Sequence, residues 1–132
     1  LNGALAGLVA ITAEPLTPSP MFAMFIGAVG AIIMYFGTKM LESFGLDDVV
    51  GAIPVHMFAG IFGTLVVPLS NSETSFGTQF VGVISVVTFS FVLSYTVFSI
   101  LKSTIGLRIS AAAEKLGTDK AEVGVVAYSI RD

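Results

Sequence analysis

Thr74–Ile100 reads TSFGTQFVGVISVVTFSFVLSYTVFSI, 27 residues without a formal charge. A bilayer core asks for roughly 20 consecutive apolar residues, so this stretch alone is long enough to cross one. Two more uncharged stretches precede it, Pro20–Thr38 and Val49–Ser72. Between and beyond them lie all the basic residues: Lys39, Lys102, Arg108, Lys115, Lys120 and Arg131. The fold class that follows is all-α, a polytopic transmembrane helical bundle. Charged residues make up 11% of the chain, where a soluble domain holds about 25%. Hydrophobic residues make up 55%, and the mean hydropathy is +0.94.

The charge pattern sets an orientation. The loop after the first apolar segment holds Glu14, and Ser70–Ser75 holds Glu73; neither holds Lys or Arg. Lys39–Asp48 and the tail hold all six basic residues. The excess of Lys and Arg on cytoplasmic loops places Lys39–Asp48 and the tail inside and the other two loops outside. The expected organisation is membrane helices over 1–101, at about 1–12, 20–41, 49–69 and 76–101, followed by a cytoplasmic tail over 102–132. The expected location is a cell membrane, plasma or inner, crossed several times. Leu1–Ala13 is about half a span and has no basic leader of the signal-peptide kind. The expectation is that Leu1 lies mid-helix in a longer protein.

Local signals mark the boundaries. Pro20 stands at a first turn, where its missing N–H costs nothing. Gly45 suits a C-cap, and Asp47 or Asp48 an N-cap for the third span. Gly3 and Gly7, Gly27 and Ala31, and Ala59 and Gly63 repeat the small-x-x-x-small spacing that lets membrane helices approach closely. In the tail, Ile109, Ala112, Ala113 and Leu116 form one apolar stripe of a short helix ended by Gly117. Asp119 and Glu122 have capping-box spacing for a further turn, stopped by Gly124. That tail either docks on its own bundle or regulates a neighbouring subunit.

Among Asp, Glu, Lys, Arg and His, His56 is the one residue within the three uncharged stretches. It falls near the middle of the third span, two residues after Pro54, whose missing N–H leaves the Val50 carbonyl free and bends the helix. Titratable groups at such depth face a cavity or the bundle interior. Desolvation favours the neutral imidazole, which has one donor and one acceptor and can relay a proton without keeping a charge. The alternative is a histidine that only glues helices by hydrogen bonding. Ala59, Gly60 and Gly63 lie on the closer faces and leave room beside the ring; Phe58 and Phe62 point elsewhere, to packing or lipid. No second His, Cys or carboxylate shares the span, so neither a metal site nor a catalytic dyad is expected. No glycine-rich phosphate loop and no basic stripe is present, which leaves no cofactor and no nucleic-acid partner to expect. Cysteine is absent.

From Asp47 the sequence runs Asp-Asp-Val-Val-Gly-Ala-Ile-Pro-Val-His-Met-Phe-Ala-Gly-Ile-Phe-Gly-Thr, to Thr64. This resembles the tenth helix of the ammonium transporter family, which reads D-D-P-x-G-A-x-x-V-H-G-x-x-G-x-x-G-T. Asn2–Thr12 resembles the family's eighth helix. Ser90–Tyr95 with Ile105–Arg108 resembles the end of the eleventh. Asp119, Glu122, Gly124, Ala127 and Tyr128 match the closing tail motif. The resemblance implies the last four of eleven helices, with the first truncated. It also implies a homotrimer with one pore per subunit and no enzymatic activity. His56 matches the second of two paired pore histidines. Its partner and the outer aromatics belong largely to helices outside this sequence, so the segment by itself is not expected to transport. The implied process is recruitment of ammonium, deprotonation, and passage of ammonia with proton relay. A PII-type signal protein is the implied partner at the cytoplasmic face. Departures are Val49 for a proline, Met57 for a glycine, and Val123 and Val125 for a His and an acidic residue. Relatives that sense ammonium, and a purely structural bundle, remain the alternatives.

Overall fold

The structure is a computed structural model describing residues 1–127; Tyr128 of the tail motif and Arg131 lie outside the described residues. Every regular element among the described residues is helical. The chain divides into two compact units, Leu1–Thr88 and Phe89–Asp132, with one long helix running through the division.

The first unit holds α1 (Asn2–Ile11), α2 (Pro20–Ser43) and α3 (Ile53–Leu69), and the start of α4 (Phe76–Thr104). Pro20 occupies the first turn of α2, and Ser19 Oγ accepts from the Phe22 N–H at 3.3 Å. At the other end of α2, Gly45 adopts φ +69°. Its N–H donates to Glu42 O at 2.9 Å and the Leu46 N–H to Leu41 O at 3.0 Å, which together satisfy two terminal carbonyls as a Schellman motif does. α4 opens on a reciprocal cap. Ser75 Oγ accepts from the Thr78 N–H, and Thr78 Oγ1 from the Ser75 N–H, each at 3.2 Å. α2 and α4 are the two helices long and apolar enough to cross a membrane. At 1.5 Å per residue they reach about 36 and 43 Å, against a hydrocarbon core of about 30 Å.

Glycine and alanine form the helix contacts. A Cβ on Gly7 would lie 3.0 Å from Gly27 O, and one on Gly3 3.7 Å from Ala31 Cβ, so the two small-residue motifs of α1 and α2 meet face to face. Gly30 sits against Ala6 and Ala10 in the same seam. On α3, Gly63 lies on the backbone of Ala10. Around this seam Ala6, Ala10, Ile26, Val55, Ala59 and Val66 are buried, with Val9, Phe22 and Phe62 packed against them. With no hydrophobic drive between helices in lipid, close backbone approach of this kind carries the association.

Polar contacts tie the loops at one end. Glu14 Oε2 accepts from Asn71 Nδ2 at 3.1 Å, and Thr17 Oγ1 donates to Ser70 Oγ at 3.2 Å. The two loops without a basic residue therefore lie together.

In the second unit, α5 (Ala111–Leu116) starts at Ser110, whose Oγ accepts from the Ala113 N–H at 3.2 Å, and stops at Gly117 with φ +96°. Ile109 precedes this helix and Leu116 is exposed, so the expected stripe is not a packed face here. Arg108 pairs with Glu114 through Nε–Oε1 at 2.7 Å and Nη2–Oε2 at 3.0 Å. These hydrogen bonds hold the Glu114 carboxyl below the usual carboxylate range. Both partners are exposed, and such a pair adds little stability. A π-helical turn, Asp119–Val123, follows and stops at Gly124, φ +74°. The expected Asp119–Glu122 box does not form. Asp119 Oδ2 instead accepts from the Ala127 N–H at 2.8 Å, and that bond first, then one from Lys120, lowers its pKa.

Candidate functional site

Pro54 and a positive-φ glycine decide where His56 sits. Val49 and Val50 form a tight turn, and Gly51 is buried with φ +73°. Only then does α3 begin, at Ile53. Its first segment, Ile53–Phe58, is π-helical; Ala59–Val66 is α-helical and Val67–Leu69 closes as a 3-10 turn. His56 is thus in the opening turn of its helix, not near the middle of a span starting at Val49. The reason is that Pro54, which lacks an N–H, fits a first turn and resists an interior position. The helix starts at this proline and does not bend at it. The Ala59 N–H reaches back to Pro54 O as well as His56 O, the wider loop that defines the π-turn. Such turns are rare and concentrate at functional sites.

The free backbone groups at this entry are satisfied by two side chains: Asp48, one of the two expected caps, and Asn2, which sequence reasoning did not connect to this turn. Asp48 accepts from the Ala52 N–H through Oδ1 at 2.9 Å and from the Ile53 N–H through Oδ2 at 2.7 Å. Of the two candidate caps, Asp48 therefore does the work. Asn2 Nδ2 donates to Val50 O at 3.0 Å, so the carbonyl expected to be free is occupied from α1. The only signals were the Asp47–Asp48 pair and a polar residue opening an apolar helix. Replacing Asp48 by alanine leaves two N–H groups without an acceptor and costs about 1–2 kcal/mol. A lowered thermal midpoint of the purified full-length protein checks this, with Asp48→Asn falling between the two.

One side of α3 packs and the other does not. Pro54, Val55, Ala59, Gly63 and Val66 are buried toward α1 and α2. Ala52, Ile53, His56 and Met57 are exposed, and Gly60 and Thr64 half-exposed. His56, Gly60 and Thr64 follow one another four residues apart along this open face. Of the three small residues expected beside the imidazole, only Gly60 stays there. Ala59 is fully buried and Gly63 is consumed by Ala10. Phe58 turns the other way, its ring lying over Gly37 of α2, and Phe62 packs on the core. Both phenylalanines thus do the packing expected of them. Among the described residues, none makes a hydrogen bond with the His56 side chain.

The sequence matches the model of the Ammonium Transporter Family over residues 1–128. The chain is 37% identical over 148 residues to Ammonium transporter Amt2 of Archaeoglobus fulgidus, covering 96% of the chain and 31% of that protein. It is 33% identical over 135 residues to Ammonium transporter Amt2 of Methanocaldococcus jannaschii, covering 96% and 32%. To the ammonium transporter of Corynebacterium glutamicum it is 32% identical over 144 residues, covering 98% and 32%. The chain spans about a third of the length of these curated relatives. A match over nearly the whole chain, with helices apolar enough to cross a bilayer, makes this a membrane protein that belongs to the ammonium transporter family.

Proposed function

We propose that this chain forms one wall of an ammonium-conducting pore within a longer transporter, with His56 lining the pore as one of a histidine pair. The observation that carries this is the exposed imidazole on the unpacked face of α3, with Gly60 leaving room beside it. The π-turn bearing His56 is irregular backbone, and irregular backbone at membrane depth is tolerated where it lines a cavity, which supports this reading. Ammonium is recruited at the end holding Glu14 and Glu73, which faces outward. Moving a bare ammonium ion into a low-dielectric pore is costly, and moving neutral ammonia is cheap. The imidazole accepts a proton on one nitrogen and releases one from the other, so proton and ammonia travel separately. The protein sits in a cell membrane with its C-terminus in the cytoplasm and assembles as a homotrimer. A PII-type signal protein docks at the cytoplasmic face.

Uptake by the full-length protein tests this reading. Cells stripped of their own ammonium transporters regain growth on limiting ammonium when it is expressed. Membrane-inserted protein without growth or methylammonium uptake overturns it. The tail carries a separate expectation. Ending the chain after Gly106 lowers uptake several-fold while membrane insertion, followed by fractionation, is retained; unchanged uptake removes the regulatory role of the tail.

A further inference from the structure

We infer that Asn2 is a positioning residue for His56, acting through the Val50 carbonyl; the role rests on His56 being a pore histidine. The Val55 N–H donates to Gly51 O at 3.1 Å, an ordinary helical bond. The preceding bond would run from residue 54 to Val50 O, and Pro54 has no N–H to make it. Asn2 Nδ2 fills that vacancy at 3.0 Å. The acceptor is a carbonyl, so the Asn2 atom facing it must be the amide nitrogen. The fit is close: Gly51 is buried, and a Cβ there would lie 2.6 Å from Asn2 Nδ2.

Three constraints hold the entry of α3. Pro54 and Asp48 are local to it. Asn2 comes from 48 residues earlier and is the polar link from α1 to this turn. The π-turn competes with an ordinary α-helical turn, and the two differ by one residue in register. One residue of register rotates a side chain by about 100° about the helix axis, enough to carry His56 off the open face. What fixes the first carbonyl of the ladder therefore fixes where the imidazole points. Asn2 does this without touching it.

The test uses the full-length protein in proteoliposomes, with methylammonium uptake and amide hydrogen exchange read together. Asn2→Ala lowers the maximal rate roughly tenfold, with a smaller change in KM, because the imidazole then leaves the open face in most molecules and a misplaced reacting group slows its step. Exchange at Ile53–Met57 accelerates in the same variant. Asn2→Asp, equal in size but without the donor, behaves as the alanine does. Pro54→Ala returns an N–H to position 54, so the Asn2→Ala/Pro54→Ala pair recovers the rate of Pro54→Ala alone. Wild-type exchange at Ile53–Met57 in Asn2→Ala overturns the inference, and so does failure of Pro54→Ala to restore the rate. Faster exchange together with wild-type uptake by His56→Ala overturns the positioning role by removing the pore reading it rests on, while the Asn2–Val50 link stands. Failure of the link and failure of the pore reading are thereby told apart.

Discussion

Full-length protein carrying His56→Gln inserts and assembles as wild type but loses its ammonium-driven current by about two orders of magnitude, the low end of what a positioned acid–base group contributes. Glutamine matches the neutral imidazole in offering both a donor and an acceptor, yet it cannot bind and release a proton near neutral pH. A histidine that only joined helices by hydrogen bonds would be replaced by glutamine at modest cost. A proton relay would not. His56→Ala gives the same loss of current. Solid-supported membrane recordings on proteoliposomes, with assembly checked by gel filtration, separate the two roles. Wild-type current from His56→Gln sinks the relay. The packing makes the comparison clean, because His56 is exposed on the open face of α3 and no described residue hydrogen-bonds to it. Neither substitution disturbs the seam between α1 and α3.

The helices were readable because charge is scarce and its placement uneven. Pro20, Gly45 and Gly117 stop or start elements by mechanisms confined to one turn, and each acts where its residue type implies. Gly3, Gly7, Gly27 and Ala31 were readable as a contact because spacing alone puts them on one face. His56 stood out as the lone titratable group of an apolar span. Its depth in the helix did not, since the start of α3 depends on Gly51 taking φ +73° and on Asn2 meeting Val50 across 48 residues. Nor did the sorting of the small residues of α3. Ala59, Gly60 and Gly63 all lie within 60° of His56 on an ideal helix. Packing against α1 and α2 buries Ala59 and Gly63 and leaves Gly60 half-exposed. Periodicity cannot divide neighbouring faces that finely, and the π-turn shifts the angles further.

Gly63 carries the largest stability effect. Its neighbour across the interface is the backbone of Ala10; a Cβ at position 63 would fall onto the Ala10 carbonyl oxygen, with Ala10 C and Cα both 2.8 Å away. Backbone cannot rotate aside as a side chain end can. Gly63→Leu must therefore push α1 from α3, opening the cluster of Ala6, Ala10, Val55 and Ala59. Overpacking of a close-packed interior costs about 1–3 kcal/mol, and an obstacle made of backbone places this substitution at the upper end, about 3 kcal/mol. That is a large part of the total stability of a folded domain, about 5–15 kcal/mol. The Asn2–Val50 link ties α1 to the turn that leads into α3, so separating the two helices also loosens the segment that bears His56. Gly63→Leu thus lowers both the thermal midpoint and the transport rate. Two controls isolate the cause. Gly60→Ala meets Val9 Cγ1 at 3.7 Å, an ordinary contact, and Gly82→Ala on α4 meets nothing within 4 Å. Both keep the wild-type midpoint in detergent. A Gly63→Leu protein that melts with them would mean that α1 and α3 do not touch at Ala10.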